Sequence, residues 1–534
     1  MKKSLLLLGS LFLATNSFAA SYTVTQITDN NYYDEYARLN ERGDVVWASW
    51  VDANDPGWTV FEYSAETKIT TQVSANNAFF DSHQVNNNGD VVWMTSDGND
   101  QEIYLYQSAT QTVMPLTDND NDDTNPQISD NGDVSWLEQR GTTASQALLM
   151  RYDAATMSSS VIDFTGATRQ GYQTMNAKGD IAWNAVLANS QQVLLYEATT
   201  GTMTNLSNNE GVINSNQRIM DNGDVVWETY DLLTSKQGIM YYKAADHSVT
   251  SIVDDVGAHL FGSNGNIVWV SYTNGSYIIS TYDPATGAVK NIATENSSYA
   301  PNIAGISARG DVAWSIIIGT SWISRVYNAK TDTIVDLTNT QGFGVYELDV
   351  ADNGDVVWSL WDGTDYEVYT YQADSDSITQ LTDNQVNDGV TIINGAGSVL
   401  WNRFDASDNE LMLAVKNQQS LEIKVKDVDF DRKKSAVDIK AGFKYSGLPN
   451  ADDVIAIKVD GQSLINTVFG DFIKKSHGIY KYETGDTEVA INFNAGKLNA
   501  EKDNFDVTAG RRITTVEISI NFGQASAVDV YTLR

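Results

Sequence analysis

The chain of 534 residues carries 34 Lys+Arg against 69 Asp+Glu, a formal net charge of −35, and it contains no cysteine. A field of this sign repels phosphate backbones and anionic lipid surfaces, so we expect no nucleic-acid partner and no membrane partner. The lack of cysteine excludes disulfides and thiolate metal sites, and a chain of this length buries enough apolar surface to fold without them.

The first residues have the features of a secretory leader. Lys2 and Lys3 precede an apolar run over residues 5–14, and the small residues Ser17 and Ala19 suit cleavage after residue 19. We therefore predict a signal peptide over residues 1–19 and an exported protein, periplasmic or secreted. No later segment reaches about eighteen uninterrupted apolar residues, so we expect no membrane insertion. We also expect a monomer.

One six-residue phrase returns along most of the chain. Its clearest copy covers residues 88–93 (NGDVVW), and nine copies follow one another at intervals of 42 to 47 residues. Their tryptophans are Trp47, Trp93, Trp136, Trp183, Trp227, Trp269, Trp314, Trp358 and Trp401. A period of this length is typical of a four-stranded propeller blade. We predict an all-β chain in which residues 20–417 form a nine-repeat β-propeller, with an eight-bladed ring as the alternative.

Each repeat reads as four short strands. Glycine permits a positive φ and the following aspartate can bind nearby backbone, so Gly-Asp marks the turn between the first two strands. The ninth copy ends at residues 411–415 without an outer strand, whereas residues 22–29 resemble the outer strand at 378–383. We predict that the N-terminal strand completes the last blade and closes the ring, because an open array leaves exposed sheet edges. Residues 421–426 are the rival, but their charged continuation favours a hairpin with 436–443.

The composition changes where the repeats end. Residues 1–417 hold 18 Lys+Arg against 52 Asp+Glu, whereas residues 418–534 hold 16 against 17. All thirteen tryptophans precede residue 402. Alternating runs after residue 417 predict six to eight antiparallel strands, and this size and pattern are typical of an immunoglobulin-like β-sandwich over residues 418–534.

Two segments are similar to the halves of the TolB-type, WD40-like β-propeller repeat. Residues 125–132 (NPQISDNG) resemble its Pro-x-x-Ser-Pro-Asp-Gly phrase, and residues 97–106 (DGNDQEIYLY) resemble its Asp-Gly loop and Glu-Ile-Tyr strand. The resemblance covers roughly residues 21–416 and implies a propeller fold. The chain departs from TolB in lacking its α/β domain, in its number of repeats and in replacing most of the prolines. The partner role of TolB is therefore not carried over.

Candidate ligand-binding residues come from the position five places before each turn glycine. Strand alternation directs this position towards the channel mouth, and its identity differs among the copies. Its long polar members are Arg38, Gln84, Gln127, Arg218 and Asp349, and His83 lies beside Gln84. We predict a ligand site among these six residues. Unconstrained lining of a channel gives the same variation, and that alternative stays open.

Acidic residues crowd the loops on one side of the predicted propeller. Pairs occur at Asp97 and Asp100 and at Asp362 and Asp365, and residues 118–123 (DNDNDD) form a run. Ca²⁺ takes six to eight oxygen ligands, so Asp118, Asp120 and Asp122 are candidate ligands for it. The run lacks the complete EF-hand pattern, and a solvated turn-forming loop is the alternative. We predict no other cofactor.

No catalytic sequence motif accompanies the repeats. We therefore hypothesise an exported, non-catalytic binding or scaffold protein that recognises a protein, peptide or glycan on the propeller face. One alternative is a polysaccharide-processing lyase or hydrolase at the propeller axis, where His83 and Arg38 would act. The other is a structural protein stabilised by Ca²⁺.

Overall fold

The structure is a computed structural model, and every regular element that it describes is a β-strand. It describes residues 22–534 except 52–56, 76, 141–146, 188–189, 342–344, 405–407, 417–420, 432–435, 446–453, 460–461, 469–470, 476–478, 485–486, 493–496, 503–514, 523–524 and 533–534. The predicted leader at 1–19 lies outside the described residues. The chain divides into two compact units, one formed by Tyr22–Ala373 with Ser377–Lys416 and the other chiefly by Asn417–Arg534.

The described part of the first unit forms seven four-stranded antiparallel sheets and one eight-stranded sheet, which consists of two four-stranded groups joined where Tyr33 pairs in parallel with Asn409. We treat these two groups as sheets 1 and 9, and number all sheets in chain order of their first strands. Sheets 1 to 3 consist of Tyr33–Leu39, Val45–Trp50, Trp58–Tyr63 and Thr70–Gln72; Gln84–Val85, Val91–Ser96, Gln101–Gln107 and Thr112–Pro115; and Asp123–Ile128, Val134–Gln139, Ala147–Asp153 and Ser158–Ile162. Sheets 4 to 6 consist of Ala167–Met175, Ile181–Leu187, Ser190–Glu197 and Thr202–Asn205; Val212–Ile219, Val225–Asp231, Gln237–Lys243 and Ser248–Val253; and His259–Phe261, Ile267–Thr273, Ser276–Asp283 and Ala288–Glu295. Sheets 7 to 9 consist of Asn302–Ile306, Val312–Ile318, Ser321–Asn328 and Thr333–Gln341; Tyr346–Val350, Val356–Trp361, Tyr366–Gln372 and Ser377–Gln380; and Asn387–Ile393, Val399–Phe404, Asn409–Lys416 and Tyr22–Gln26.

The repeated Gly-Asp pair builds the turn between the first two strands. Gly43 has φ 90° and Gly354 has φ 84°, in the left-handed region that glycine adopts without strain. The aspartate that follows the glycine accepts a hydrogen bond from the backbone just after the third strand. Asp44 Oδ1 accepts a hydrogen bond from Ala65 N at 2.8 Å, and Asp355 Oδ1 accepts one from Ala373 N at 3.0 Å. The pair is therefore structural, as its repetition predicts.

The nine repeated tryptophans are buried, with exposed fractions of at most 6%. Each packs against the preceding sheet, as Trp93 does against Val46 and Val60. In five sheets the indole N–H also donates to a side-chain oxygen thirteen residues earlier in the chain. These acceptors are Asp34, Asp123, Gln170, Asn214 and Asp388. The repeated tryptophan therefore fills the space between neighbouring sheets, and in these five sheets its hydrogen bond also joins the first strand to the second.

The ninth sheet takes its outer strand from the beginning of the described chain. Tyr22–Gln26 pairs with Asn409–Lys416, so that Tyr22 lies opposite Lys416. Sheet 9 also packs against sheet 1, because Trp47 shares a buried cluster with Leu400, Leu411 and Leu413. Neighbouring sheets packed through their tryptophans, with the last against the first, define a β-propeller.

The same hydrogen bond joins the turns of consecutive sheets. Asn40 Nδ2 donates to Asn86 O at 2.9 Å, and Asn394 Nδ2 donates to Asn40 O at 2.8 Å. The contact between sheets 9 and 1 is therefore of the same kind as the contact between sheets 1 and 2. Asn394 and Asn40 nevertheless lie 354 positions apart along the chain.

The second unit contains two antiparallel sheets. One has the strand order Leu421–Asp431, Ala436–Tyr445, Lys497–Lys502, Thr487–Asn492, Ile479–Thr484 and Ile473–Lys474, and the other has the order Gln462–Val468, Val454–Val459, Thr515–Phe522 and Ala525–Thr532. The described residues thus hold ten strands, and the expected six to eight was too few. The strand Ile473–Lys474 has only two residues, and Lys497–Lys502 has only two apolar residues, Leu498 and Ala500. Because Leu421–Asp431 pairs with Ala436–Tyr445, it is not the outer strand of sheet 9.

Candidate functional site

A bulge interrupts the first strand of most sheets. The pairing with the second strand shifts its register in sheets 1, 3, 4, 5, 7, 8 and 9. In five sheets the residue seven places before the turn glycine has a positive φ. These residues are Tyr36, Asn125, Asn216, Glu347 and Val390. A bulge re-aims a side chain, and non-glycine residues in this conformation store strain of the kind found at functional sites. Regular alternation does not reveal this position, so it was absent from the sequence-based candidates.

Arg38 and His83 lie together where sheets 1 and 2 meet. Arg38 Nη2 pairs with Asp81 Oδ1 at 2.7 Å, and Arg38 Nε donates to His83 O at 2.8 Å. The His83 side chain is fully buried, and its Nε2 lies 2.8 Å from Tyr36 O. Burial, with a smaller contribution from the Arg38 charge, lowers the pKa of His83 to about 4. The ring is therefore neutral near pH 7, with Nε2–H donating to the Tyr36 carbonyl.

Two glutamines make the same bond at the position of His83 in other sheets. Gln173 Nε2 donates to Asn125 O at 2.8 Å, and Gln217 Nε2 donates to Tyr172 O at 2.7 Å. Glutamine does not transfer protons, so the shared role of this position is to join the first strands of neighbouring sheets. The geometry gives His83 a structural role, and it does not present a general acid or base to the channel.

A cavity of about 580 Å³ brings Gln127 and Arg218 together with His259. Arg218 Nη1 donates to Phe261 O at 2.7 Å. His259 Nε2 lies 2.9 Å from Glu228 Oε1, and its Nδ1 lies 2.9 Å from Gly257 O. Burial alone lowers the pKa of His259, but the hydrogen bonds to Glu228 and Gly257 outweigh it and the pKa is raised. This cavity therefore holds a cationic guanidinium and a histidine that takes up a proton readily.

The remaining two candidates are separate from these groups. Gln84 lines a second cavity, of about 470 Å³, between sheets 2, 3 and 4. Asp349 Oδ2 accepts a hydrogen bond from Ile393 N at 3.1 Å, and burial raises the pKa of Asp349. The six sequence-based candidates thus fall in four places: Arg38 with His83, Gln127 with Arg218, and Gln84 and Asp349 each apart.

An aromatic cluster, which the sequence did not predict, lies beside Arg38. We define it as Tyr36, Trp50, Trp58 and Phe80. The ring centroids of Tyr36 and Phe80 are 5.8 Å apart, those of Tyr36 and Trp58 are 5.7 Å apart, and those of Trp50 and Trp58 are 5.4 Å apart. Tyr36 is the bulge residue of sheet 1, so the strained backbone places it in this cluster.

The aromatic cluster meets the cavity of about 470 Å³ at Phe80, which belongs to both. Tyr172, the bulge-position residue of sheet 4, also lines this cavity. Phe80 is 58% exposed and Tyr172 is 72% exposed. Asp81, Gln84, Asn125, Gln139 and Gln170 supply polar groups to the same cavity. Exposed rings around amide and carboxylate groups make a surface suited to a ligand with apolar faces and many hydroxyl or amide groups.

Two groups of carboxylates occupy hairpins between second and third strands. We call them the acidic hairpins: Asp97, Asp100 and Glu102 in sheet 2, and Asp362, Asp365 and Glu367 in sheet 8. Within each group one carboxylate oxygen from every residue lies within 4.8 Å of the others. Glu102, Asp365 and Glu367 are buried, whereas the first aspartate of each hairpin is exposed.

The predicted Ca²⁺ ligands flank the first acidic hairpin. Asp118, Asp120 and Asp122 are exposed on the connection from sheet 2 to sheet 3. Asp122 Oδ1 accepts a hydrogen bond from Gln101 N at 3.2 Å, and Asp120 Oδ1 accepts one from Asn99 Nδ2 at 3.4 Å. The run therefore borders the hairpin, while the close set of carboxylates belongs to the hairpin itself. The Asp-x-x-Asp-x-Glu spacing was the sequence signal for it.

These features define a β-propeller protein with cavities between its sheets. No protein-family model matches the sequence, and no curated protein matches it. Among solved structures, the chain is similar to a dipeptidyl peptidase 4 from Porphyromonas gingivalis, with a TM-score of 0.45 and 12% identity over 68% of this chain and 64% of the peptidase. The chain therefore spans less than two thirds of that enzyme's length.

Two further solved structures are similar to the chain at comparably low identity. An oligogalacturonate lyase in complex with manganese gives a TM-score of 0.38 and 11% identity, over 75% of this chain and 95% of the lyase. TolB from Acinetobacter baumannii gives a TM-score of 0.27 and 13% identity, over 54% of this chain and 77% of TolB. In the part of this chain that the structure describes, no helix is long and apolar enough to span a membrane.

Proposed function

We propose that this chain is an exported, non-catalytic binding protein that holds a glycan on its propeller face, over sheets 1 to 4. The observation that carries the proposal is that Phe80, the exposed ring of the aromatic cluster that packs against Tyr36, lines the cavity of about 470 Å³ together with the exposed Tyr172. Large rings left exposed around one cavity mark an interaction surface, because burying them in a complex removes apolar area from water.

The polar lining favours a glycan over other ligands. Gln84 and Gln139 each offer an amide donor and an amide acceptor to the cavity, and Gln170 offers its amide donor, because its Oε1 accepts the hydrogen bond from Trp183 Nε1. Sugar hydroxyls also donate and accept, and the apolar faces of sugar rings can lie on aromatic rings such as Phe80 and Tyr172. The acidity of the chain, with a net charge of −35, favours a neutral or cationic glycan over an anionic one. Peptides and proteins also use aromatic anchors, and they are the other outcomes of the experiment below.

The wider architecture is part of the proposal. We take the nine sheets as nine blades of one closed ring, supported by the turn-to-turn bond between Asn394 and Asn40. The two sheets after residue 416 are proposed as an immunoglobulin-like sandwich that spaces or anchors the propeller. Export rests on the leader-like residues 1–19, and the protein is proposed to be a monomer that is periplasmic or secreted.

The test is a glycan array probed with the chain, followed by calorimetry with the best neutral oligosaccharide. Replacing both Tyr36→Ala and Phe80→Ala removes two rings of the aromatic cluster. Each ring contributes about 1 kcal/mol beyond area burial, so we expect the double variant to weaken binding about 10- to 100-fold. Tyr299→Ala is the matched control, since Tyr299 is 66% exposed and stands at the start of sheet 7.

The outcomes separate the ligand classes. Glycan binding that depends on Tyr36 and Phe80 but not on Tyr299 supports the proposal. If a peptide library binds with the same dependence on these residues, the position of the site is supported and the proposal of a glycan ligand is contradicted. Binding of either ligand that is unchanged in the double variant shows that the aromatic cluster is not the site.

A further inference from the structure

Buried carboxylate oxygens in the acidic hairpins have no hydrogen-bond donor. In sheet 2 these atoms are both side-chain oxygens of Asp100 and Oε2 of Glu102, and in sheet 8 they are Oδ2 of Asp365 and Oε2 of Glu367. Glu102 is 2% exposed and Glu367 is 0% exposed. No lysine or arginine forms an ion pair with these five carboxylate oxygens in the described part of the chain. Burying an unpaired charge costs free energy of folding, so a positively charged partner would stabilise each group of carboxylates.

The other oxygen of each buried glutamate is held in place by backbone. Glu102 Oε1 accepts a hydrogen bond from Asn119 N at 2.8 Å, and Glu367 Oε1 accepts one from Asn384 N at 2.7 Å. These asparagines in turn donate to Asp123 Oδ2 at 2.7 Å and to Asp388 Oδ2 at 2.6 Å. Each glutamate is therefore oriented by the bond to its Oε1, and its buried Oε2 is the oxygen that lacks a donor.

Sheet 4 carries an uncharged version of this arrangement. Gln192 is the residue of sheet 4 that corresponds to Glu102 in sheet 2. In each sheet this residue pairs with the residue two places after the repeated tryptophan, which is Ala185 for Gln192 and Thr95 for Glu102. Gln192 Oε1 accepts a hydrogen bond from Asn209 N at 3.1 Å, as Glu102 Oε1 does from Asn119 N. Its Nε2 donates to Asn209 O at 2.5 Å and to Ser190 Oγ at 3.0 Å.

The position of glutamate Oε2 in sheets 2 and 8 corresponds to the position of Gln192 Nε2 in sheet 4. In sheet 4 this nitrogen donates hydrogen bonds to surrounding oxygen atoms. In sheets 2 and 8 the glutamate has an oxygen without a donor instead of the amide nitrogen, and one carboxylate oxygen from each of the three hairpin residues lies within 4.8 Å of the others. A cation fills such a space as the amide N–H₂ does in sheet 4. A set of carboxylate oxygens this close together is the ligand type that Ca²⁺ takes, at distances of about 2.4 Å, with water completing the shell.

We propose that the acidic hairpins of sheets 2 and 8 are two Ca²⁺ sites, formed by Asp97, Asp100 and Glu102 and by Asp362, Asp365 and Glu367. The bound ion neutralises the buried carboxylates and ties the hairpin to the connection that leads to the next sheet. The Asp118–Asp122 run then serves as an outer acidic rim of the first site through its bonds to Asn99 and Gln101. This inference is independent of the proposed glycan site.

The experiment uses the full chain, stripped with a chelator and titrated with CaCl₂ in a calorimeter, together with melting temperatures in Ca²⁺ and in chelator. We expect two equivalents of Ca²⁺ and a rise in melting temperature, since a ligand that binds only the folded state stabilises it. Glu102→Gln should leave one equivalent, and Glu102→Gln with Glu367→Gln should abolish both the heat and the rise. Glu66→Gln is the matched control, because the Glu66 side chain is 80% exposed and outside the hairpins.

In chelator, the glutamine variants should not show the lower melting temperature that a generally destabilising substitution causes. In chelator, the double glutamine variant should melt at or above the temperature of the unchanged chain, because an amide stands in this place in sheet 4. If the unchanged chain binds no Ca²⁺ and melts at the same temperature in Ca²⁺ and in chelator, the sites are protonated carboxyl groups and the proposal is wrong. An equal response to Mg²⁺ at the same concentration contradicts the choice of Ca²⁺.

Discussion

The contribution of an indole hydrogen bond to stability can be measured by comparing a repeated tryptophan that forms this bond with one that does not. Trp136 Nε1 donates to Asp123 Oδ1 at 2.7 Å, whereas Trp358 Nε1 is buried without a partner. Both side chains are 1% exposed, so Trp136→Phe and Trp358→Phe remove similar packing. Only the first also removes a hydrogen bond to a carboxylate, a contribution of about 1.5–3 kcal/mol.

The expected difference in melting temperature follows from the size of the first unit. At about 2.1 cal/mol/K per residue, roughly 390 residues give an unfolding entropy of about 0.8 kcal/mol/K. Trp136→Phe should therefore melt about 2–4 °C below Trp358→Phe, as measured by calorimetry or far-ultraviolet circular dichroism.

The pH dependence sharpens the test. Burial raises the pKa of Asp123 to about 7, so its carboxylate is protonated in the folded state at pH 5.5 and ionised at pH 8.5. The unfolded pKa is near 3.8, so the folded state binds the extra proton and ionisation costs stability as pH rises through about 7. The indole stabilises the ionised form, and the gap between the two variants should therefore be larger at pH 8.5 than at pH 5.5. Equal melting temperatures for the two variants at pH 8.5 would refute this account of the indole bond.

Two further predictions concern the strand that completes sheet 9 and the cavity of about 580 Å³ that contains His259. Removal of Tyr22–Gln26 exposes the edge of Asn409–Lys416, so we expect a lower melting temperature and concentration-dependent association by analytical ultracentrifugation; an unchanged monomer would contradict the closing role of that strand. The pKa of His259 is higher in the folded state than in the unfolded state. Its pair with Glu228 therefore stabilises the fold fully below the unfolded-state pKa of His259, and this stabilisation is lost as pH rises through the folded-state pKa. Glu228→Gln should therefore lower the melting temperature more at pH 5.5 than at pH 8.5, and a pH-independent loss would assign the effect to packing.

Much of the first unit could be predicted from the sequence because its signals are local and repeated. The Gly-Asp turns and the tryptophans recur at a near-constant period, and each copy reports the same structure independently. The closing strand was also readable, since residues 22–29 resemble another outer strand. The strand count of the second unit was not predicted, because Ile473–Lys474 is only two residues long and Lys497–Lys502 has only two apolar residues.

The candidate sites were harder to predict because a bulge changes which side chains face the channel. Tyr36 enters the aromatic cluster through a positive φ, and nothing in the local residue pattern signals that conformation for a tyrosine. His83 was nominated for its chemistry, yet the geometry shared with Gln173 and Gln217 gives it a strand-joining bond. The acidic loops were located by composition, but composition favoured the run at 118–123 over the hairpin beside it.

By itself, the sequence determined the β-repeat, the turns, the buried indoles and the acidic character, because each of these depends on residues close together along the chain. Only the tertiary structure decided which polar atoms found partners. Glu102 and Gln192 occupy equivalent places, but one oxygen of the glutamate is left without a donor while the amide of the glutamine is satisfied. That difference depends on atoms brought together by folding from two strands and a connection, which no periodicity along the chain encodes.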